Sequence, residues 1–235
     1  ALGGLLFGYD IGATSGAVVN LTDASLSGVA WGPAMDAAAQ GLLVSGSLAG
    51  ALGGSVLGLT FGDVLGRRRE MLLAAACYIA AAAGEALAPG YWPLVAARAL
   101  YGIGIGLAMH GAPTYIAETA PPSIRGALVS AKEAIIVLGL TVGYAVGAAL
   151  MHGVGRWRYI YWVAMVFAAA MAYGLSGVPR SPRWCLLRGY ADEARAEFEF
   201  VTPVPEPGAF ERLAGHVRAL KADEVGPQSI PEIVE

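Results

Sequence analysis

Six stretches in the first 180 residues consist almost wholly of apolar and small side chains: about 1–20, 38–61, 71–89, 93–112, 127–150 and 157–178. The hydrocarbon core of a bilayer is about 30 Å thick, and a helix needs about 20 apolar residues to cross it. Inside lipid every backbone N–H and C=O must find an internal partner, which a helix supplies within one segment. The pattern therefore predicts an all-α membrane protein with six transmembrane helices. Charged residues make up only 14% of the 235 positions, against about 25% in soluble domains. A large soluble core would alternate with polar surface, and most of these stretches do not.

The loops predict an orientation. Arg67, Arg68 and Arg69 separate spans two and three, Arg125 separates four and five, and Arg180, Arg183 and Arg188 follow six. The opposite loops hold only Arg156 and Arg158. Positive residues collect on the cytoplasmic side, so both ends are expected in the cytosol, or in the stroma for a plastid membrane. Trp31, Trp92, Trp157, Tyr159 and Trp162 are expected near the other interface, as an aromatic belt.

Residues 1–188 carry 11 Lys/Arg and 8 Asp/Glu, whereas residues 189–235 carry 4 and 10. The acidic part is also the polar part, so the chain divides into a six-helix bundle over 1–180 and a cytosolic linker with short amphipathic helices over 181–235. In that linker Phe210, Leu213, Val217 and Leu220 recur at helical spacing, and Pro203, Pro205 and Pro207 interrupt it. The chain opens at Ala1 inside an apolar run and stops in a polar segment, so both ends are expected to continue in a longer polypeptide. Glycines such as Gly3, Gly4, Gly50, Gly54, Gly102 and Gly106 are expected at helix–helix seams, where small residues let backbones approach in lipid.

An ionisable side chain inside a span costs at least about 2.5–3.5 kcal/mol on insertion scales, which marks it as a functional candidate. Asp10, Arg98, His110 and the Lys132–Glu133 pair qualify. An arginine keeps a nearby carboxylate ionised, and burial pushes it toward the neutral acid. Asp10 with Arg98 fits either a titrating proton site or a fixed ion pair holding two helices. His110 fits either titration near neutral pH or a satisfied interhelical hydrogen bond. Cys77 and Cys185 have no metal or redox spacing. No nucleophile–base pattern, cofactor motif or basic patch for nucleic acid occurs, so neither an enzyme nor a nucleic-acid binder is expected.

The ordered set GGLLFGYDIGATSG (3–16), GDVLGRRRE (62–70), RALYGIGIGLA (98–108), PTYIAETAPPSIRGALVS (113–130), WRYIY (157–161) and PRSPRW (179–184) resembles the sugar porters of the major facilitator superfamily. The block LVSAKEAIIVLG, with Met109-His110, is most similar to the plant and algal D-xylose–proton symporter-like branch, which includes plastid members. This resemblance implies the N-terminal half of a twelve-helix major facilitator fold, whose missing partner is a C-terminal six-helix half. It implies that Asp10 is the proton acceptor and Arg98 its partner, and that Phe7 flanks a monosaccharide. Asp63, Arg67 and Arg68 match a cytosolic latch, Glu118 and Arg125 a second charge cluster, and Arg183 a third.

Two positions depart from that pattern. Glu133 stands where relatives commonly place a sugar-binding Gln, eight residues after Arg125, or about 12 Å along a helix. Lys132 points about 100° away from it and is expected to pair elsewhere or to snorkel. The family's Pro-Glu-Ser-Pro-Arg reads Pro179-Arg180-Ser181-Pro182-Arg183. The expected function is proton-coupled transport of a hexose or pentose by alternating access, in a plastid envelope, plasma membrane or vacuolar membrane. A non-transporting fragment and a sugar sensor on the same scaffold are the alternatives.

Overall fold

The computed structural model describes residues 2–202 and 208–224. Among them the regular structure is helical throughout: α1 (Leu2–Thr22), α2 (Ala37–Leu65), α3 (Arg67–Ala86), α4 (Tyr91–Thr119), α5 (Pro122–Leu150), α6 (Trp157–Ser176), α7 (Pro182–Arg188), α8 (Ala191–Val201) and α9 (Ala209–Glu224). Five of these, α1, α2, α4, α5 and α6, are long and apolar enough to cross a membrane. The third expected span differs. Arg67, Arg68, Arg69 and Glu70 fill the first turn of α3 and Glu85 lies in its last, so every eighteen-residue stretch of it holds at least three charged side chains.

Helix ends follow local chemistry. The Asp36 carboxylate caps α2 by accepting from the Ala39 N–H at 2.8 Å. Gly66, at φ +83°, turns the chain straight from α2 into α3; this left-handed region suits a residue without Cβ. The fourth span, expected to close near 112, runs on through Pro113 to Thr119. Proline removes one N–H from the ladder, and the neighbouring Thr114 hydroxyl donates to the His110 carbonyl at 2.8 Å.

Two seams hold the helices at backbone distance. Along α1, Gly4, Gly8, Gly12 and Gly16 recur every fourth residue and lie against α5, where Gly139, Gly143 and Gly147 do the same. A Cβ on Gly8 would collide with the Ile136 carbonyl, and one on Gly143 with that of Tyr9. Between α2 and α4, a Cβ on Gly50 would strike the Ala99 carbonyl, and one on Gly102 that of Ser47. Such contacts replace hydrophobic drive, which lipid does not provide. α3 packs on α4 and α6, and α6 on α1. Exchanging α1 with α4, α2 with α5 and α3 with α6 maps these pairs onto one another, as two three-helix repeats would.

Polar clamps complete the bundle. The Tyr9 hydroxyl donates to the Ile160 carbonyl at 2.6 Å, and the Tyr101 hydroxyl to that of Leu6 at 3.2 Å. The Asn20 amide donates to the carbonyls of Met151 and Gly153 and accepts from the Trp157 N–H. Trp157 thereby departs from the expected aromatic belt. It is wholly buried, its indole N–H donates to the Ser27 carbonyl at 2.9 Å, and its ring meets Trp31 edge-on. Trp92 and Tyr159 remain exposed.

The chain divides into two compact units, Ala1–Val178 and Pro179–Glu235. The second has its own small core, in which Trp184, Cys185 and Ala194 are buried with Leu186 and Phe210 against them. Ser181 caps α7 through the Trp184 N–H, and Arg180 pairs with Glu193 at 2.7 Å. Phe210, Leu213 and Val217 lie on α9, with Val217 buried. The expected breaks at Pro203, Pro205 and Pro207 and the side chain of Leu220 lie outside the described residues.

Candidate functional site

Four helices each send one polar side chain to a single buried point. Asp10 comes from α1, Ser47 from α2, Glu85 from α3 and Arg98 from α4, and none is more than 5% exposed. The Arg98 guanidinium forms an ion pair with Asp10 Oδ1 through Nη1. Its Nη2 donates to Ser47 Oγ at 3.0 Å, and Nε donates to the Leu43 carbonyl at 3.3 Å. Ser47 in turn donates to Asp10 Oδ2 at 2.9 Å, closing a ring of three groups. Glu85 Oε1 lies 3.6 Å from Arg98 Nη1, at ion-pair distance but beyond hydrogen-bond reach. Both of its oxygens lack a hydrogen-bond partner among the described residues.

Neither sugar-side candidate joins this ring. Phe7 is half-buried and packs against the core of the bundle. Glu133 lies on the exposed side of α5, and the buried Lys132 folds back to it, Nζ to Oε1 at 2.8 Å. Lys132, expected to pair elsewhere or to snorkel, instead pairs with its neighbour Glu133. Its flexible stem covers the angular gap between adjacent helix positions.

At the arginine-rich end, Arg67 links three helices. Nη1 meets Asp63 Oδ1 at 2.7 Å, and Nε and Nη2 both donate to Glu118 Oε1, at 3.2 and 3.1 Å. Arg68 donates to the carbonyls of Leu175 and Ser176 at the end of α6, where the negative end of the helix dipole attracts a cation. Arg125 donates to the Ala120 carbonyl at 3.1 Å. Arg183 is half-buried on α7, in the second unit.

His110 makes an interhelical bond, Nδ1 to Glu70 Oε1 at 2.6 Å. Gly58 and Gly62 of α2 leave room for it, since a Cβ on either would meet the imidazole or the carboxylate at about 3 Å. Sequence reasoning passed over Glu70, Glu85 and Ser47. Glu85 carried a usable signal, a lone acid in an alanine-rich span. Its place just before Leu87-Ala88-Pro89 makes it resemble an interfacial residue.

The pattern of the sugar (and other) transporter family matches residues 1–226. The chain is 51% identical over 188 residues to D-xylose-proton symporter-like 2 of Arabidopsis thaliana, covering 80% of this chain and 37% of that protein. It is 36% identical over 196 residues to the D-xylose transporter of Levilactobacillus brevis, covering 83% and 41%. Among solved structures it superposes on the proton:xylose symporter XylE bound to 6-bromo-6-deoxy-D-glucose with TM-score 0.84 at 28% identity, covering 97% of this chain and 53% of that one. The inward-open xylose transporter XylE from E. coli gives TM-score 0.77 at 27% identity, with 97% and 55% covered. The chain thus spans about two fifths of these curated relatives and about half of the solved chains.

Proposed function

The chain belongs to the sugar (and other) transporter family, whose members are transporters rather than enzymes, and from that premise we propose that it forms the N-terminal half of a proton-coupled monosaccharide transporter. The observation that carries this reading is the buried ring of Asp10, Ser47 and Arg98. An acid, a hydroxyl and a guanidinium sit together on three helices of an apolar bundle, where an ionisable group marks a functional site. Asp10 takes up and releases the proton, and Arg98 is the counter-ion that its protonation frees.

In this reading six helices span the bilayer, with α3 as the sixth, and the arginine-rich end is cytosolic (or stromal). The partner is a second six-helix half, and substrate binds between the halves, which rock to alternate access. Phe7 and Glu133 face the sugar. Asp63, Arg67, Arg68, Glu118, Arg125 and Arg183 form a cytosolic gate whose charge pairs are remade as the halves move. A pentose or hexose is the cargo, in keeping with the xylose named for the relatives, and the plastid envelope is one membrane that would hold the protein.

Uptake of labelled xylose and glucose by the full-length protein in proteoliposomes, across imposed pH gradients, tests this. Proton gradients directed inward, with the acid side outside, are expected to drive accumulation, and Asp10→Asn to reduce it to simple equilibration. Accumulation that keeps its pH dependence in Asp10→Asn removes Asp10 from the proton step.

A further inference from the structure

We propose that Glu85 is a second proton-binding acid of the central site: it carries a proton while Arg98 is paired with Asp10, and it ionises to become the counter-ion of Arg98 when Asp10 is neutral. Three observations converge on it. Glu85 is fully buried at 0% exposure. Its carboxyl stands 3.6 Å from the same Nη1 that pairs with Asp10. Among the described residues neither of its oxygens has a hydrogen-bond partner within 3.5 Å, whereas Asp10 accepts from both Arg98 and Ser47.

Charge balance then assigns the proton. With both acids ionised, one guanidinium would face two carboxylates and leave a net negative charge in an apolar interior, a costly arrangement. The acid already holding the hydrogen bonds keeps the charge, and the acid without them keeps the proton. The other groups facing Glu85 do not supply a second cation. Among the described residues they are Tyr9 on α1, Tyr101 on α4 and Tyr161 on α6. When Asp10 takes a proton from water, its hold on Arg98 ends. Glu85 then gives its own proton to water on the opposite side of the membrane and pairs with Nη1, and passage of the Asp10 proton to Glu85 resets the site, so that one proton crosses per cycle. Before and after, the site contains one carboxylate, one carboxylic acid and one guanidinium.

The role of this exchange in sugar movement rests on the proton-symport reading, but the proton on Glu85 is measurable without transport. Infrared spectroscopy of the full-length protein near neutral pH reads the C=O stretch of a protonated buried carboxyl. We expect the band in the unmodified protein, a shift of it on 13C-glutamate labelling, and its loss in Glu85→Gln. Asp10→Asn is also expected to abolish it, because Arg98 then draws Glu85 into ionisation. Absence of the band, a band that glutamate labelling leaves unmoved, or one that persists in Asp10→Asn overturns the proposal. The labelling arm needs no variant to fold. Uptake indifferent to the proton gradient, with the band behaving as expected, would instead sink symport and leave Glu85 as described.

Discussion

Two arginines in this chain each stand between an aspartate and a glutamate. Arg98 lies between Asp10 and Glu85, with side-chain exposures of 1%, 5% and 0%. Arg67 lies between Asp63 and Glu118, with exposures of 9%, 79% and 7%. The chemical groups are the same and the surroundings are not. At the rim, Asp63 reaches solvent and both acids can remain charged, because water and dissolved ions screen the surplus. In the interior nothing screens it, so one acid must give up its charge or leave. The same trio therefore tolerates full charge at the edge, and under the proposal above it shares one proton at the centre.

The largest effect should come from removing the central cation. Arg98→Met strands Asp10 and its partners without a counter-charge, and breaking a buried pair costs about 3–5 kcal/mol. A large drop in the thermal unfolding midpoint in detergent is expected, and an unchanged midpoint would erase the contrast with the rim. Next come the seams that hold Asp10 and Arg98 in place. Gly8→Leu or Gly102→Val forces a side chain into a facing backbone carbonyl and should cost about 1–3 kcal/mol. Gly53→Ala, with open space around it, should leave the same midpoint in place.

The rim should respond less. Asp63→Asn is expected to change stability by less than about 1 kcal/mol, in a salt-dependent way. Glu118→Gln should cost more than Asp63→Asn, because Glu118 is the enclosed partner; equal costs would show that burial does not separate the two acids. The smallest effect concerns the second unit. Burial, followed by the negative charges of Glu193 and Glu197, pushes the Cys185 thiol above its ordinary value of 9.0, with Arg180 opposing. The neutral thiol is the favoured form, so stability linked to it is present below that value and lost as pH rises through the higher one. Maleimide labelling of the folded protein at neutral pH should be slower than that of the unfolded chain. Equal rates would count against the shielding.

Much of the helical layout was legible because long apolar runs leave the backbone little choice. Asp10 and Arg98 stood out as costly residues in such runs, and they are in contact in the structure. Less legible was anything set by how helices face each other. The sequence places Glu133 in the fifth span but does not reveal that it faces outward and is tethered by Lys132. Glu85 was passed over, a lone acid one residue before α3 ends at Ala86. Trp157 looked like an interfacial aromatic until Ser27 and Asn20 were seen to hold it inside. The fourth span was expected to close near 112, yet α4 continues through Pro113 with Thr114 bonded to the preceding turn. The outward turn of Glu133, the burial of Glu85 and the enclosure of Trp157 depend on which neighbours the other helices bring, which spacing along one chain does not encode.

The glycine seams also have a mechanical consequence. Where backbone touches backbone there are no rotamers to change, so α1 with α5, and α2 with α4, can only travel as paired slabs. Any rocking of such a molecule must be absorbed along the remaining joints, which carry side chains able to re-seat. Asp10 and Arg98 belong to different slabs, which makes their bond one of the few things that a relative tilt of the slabs would stretch.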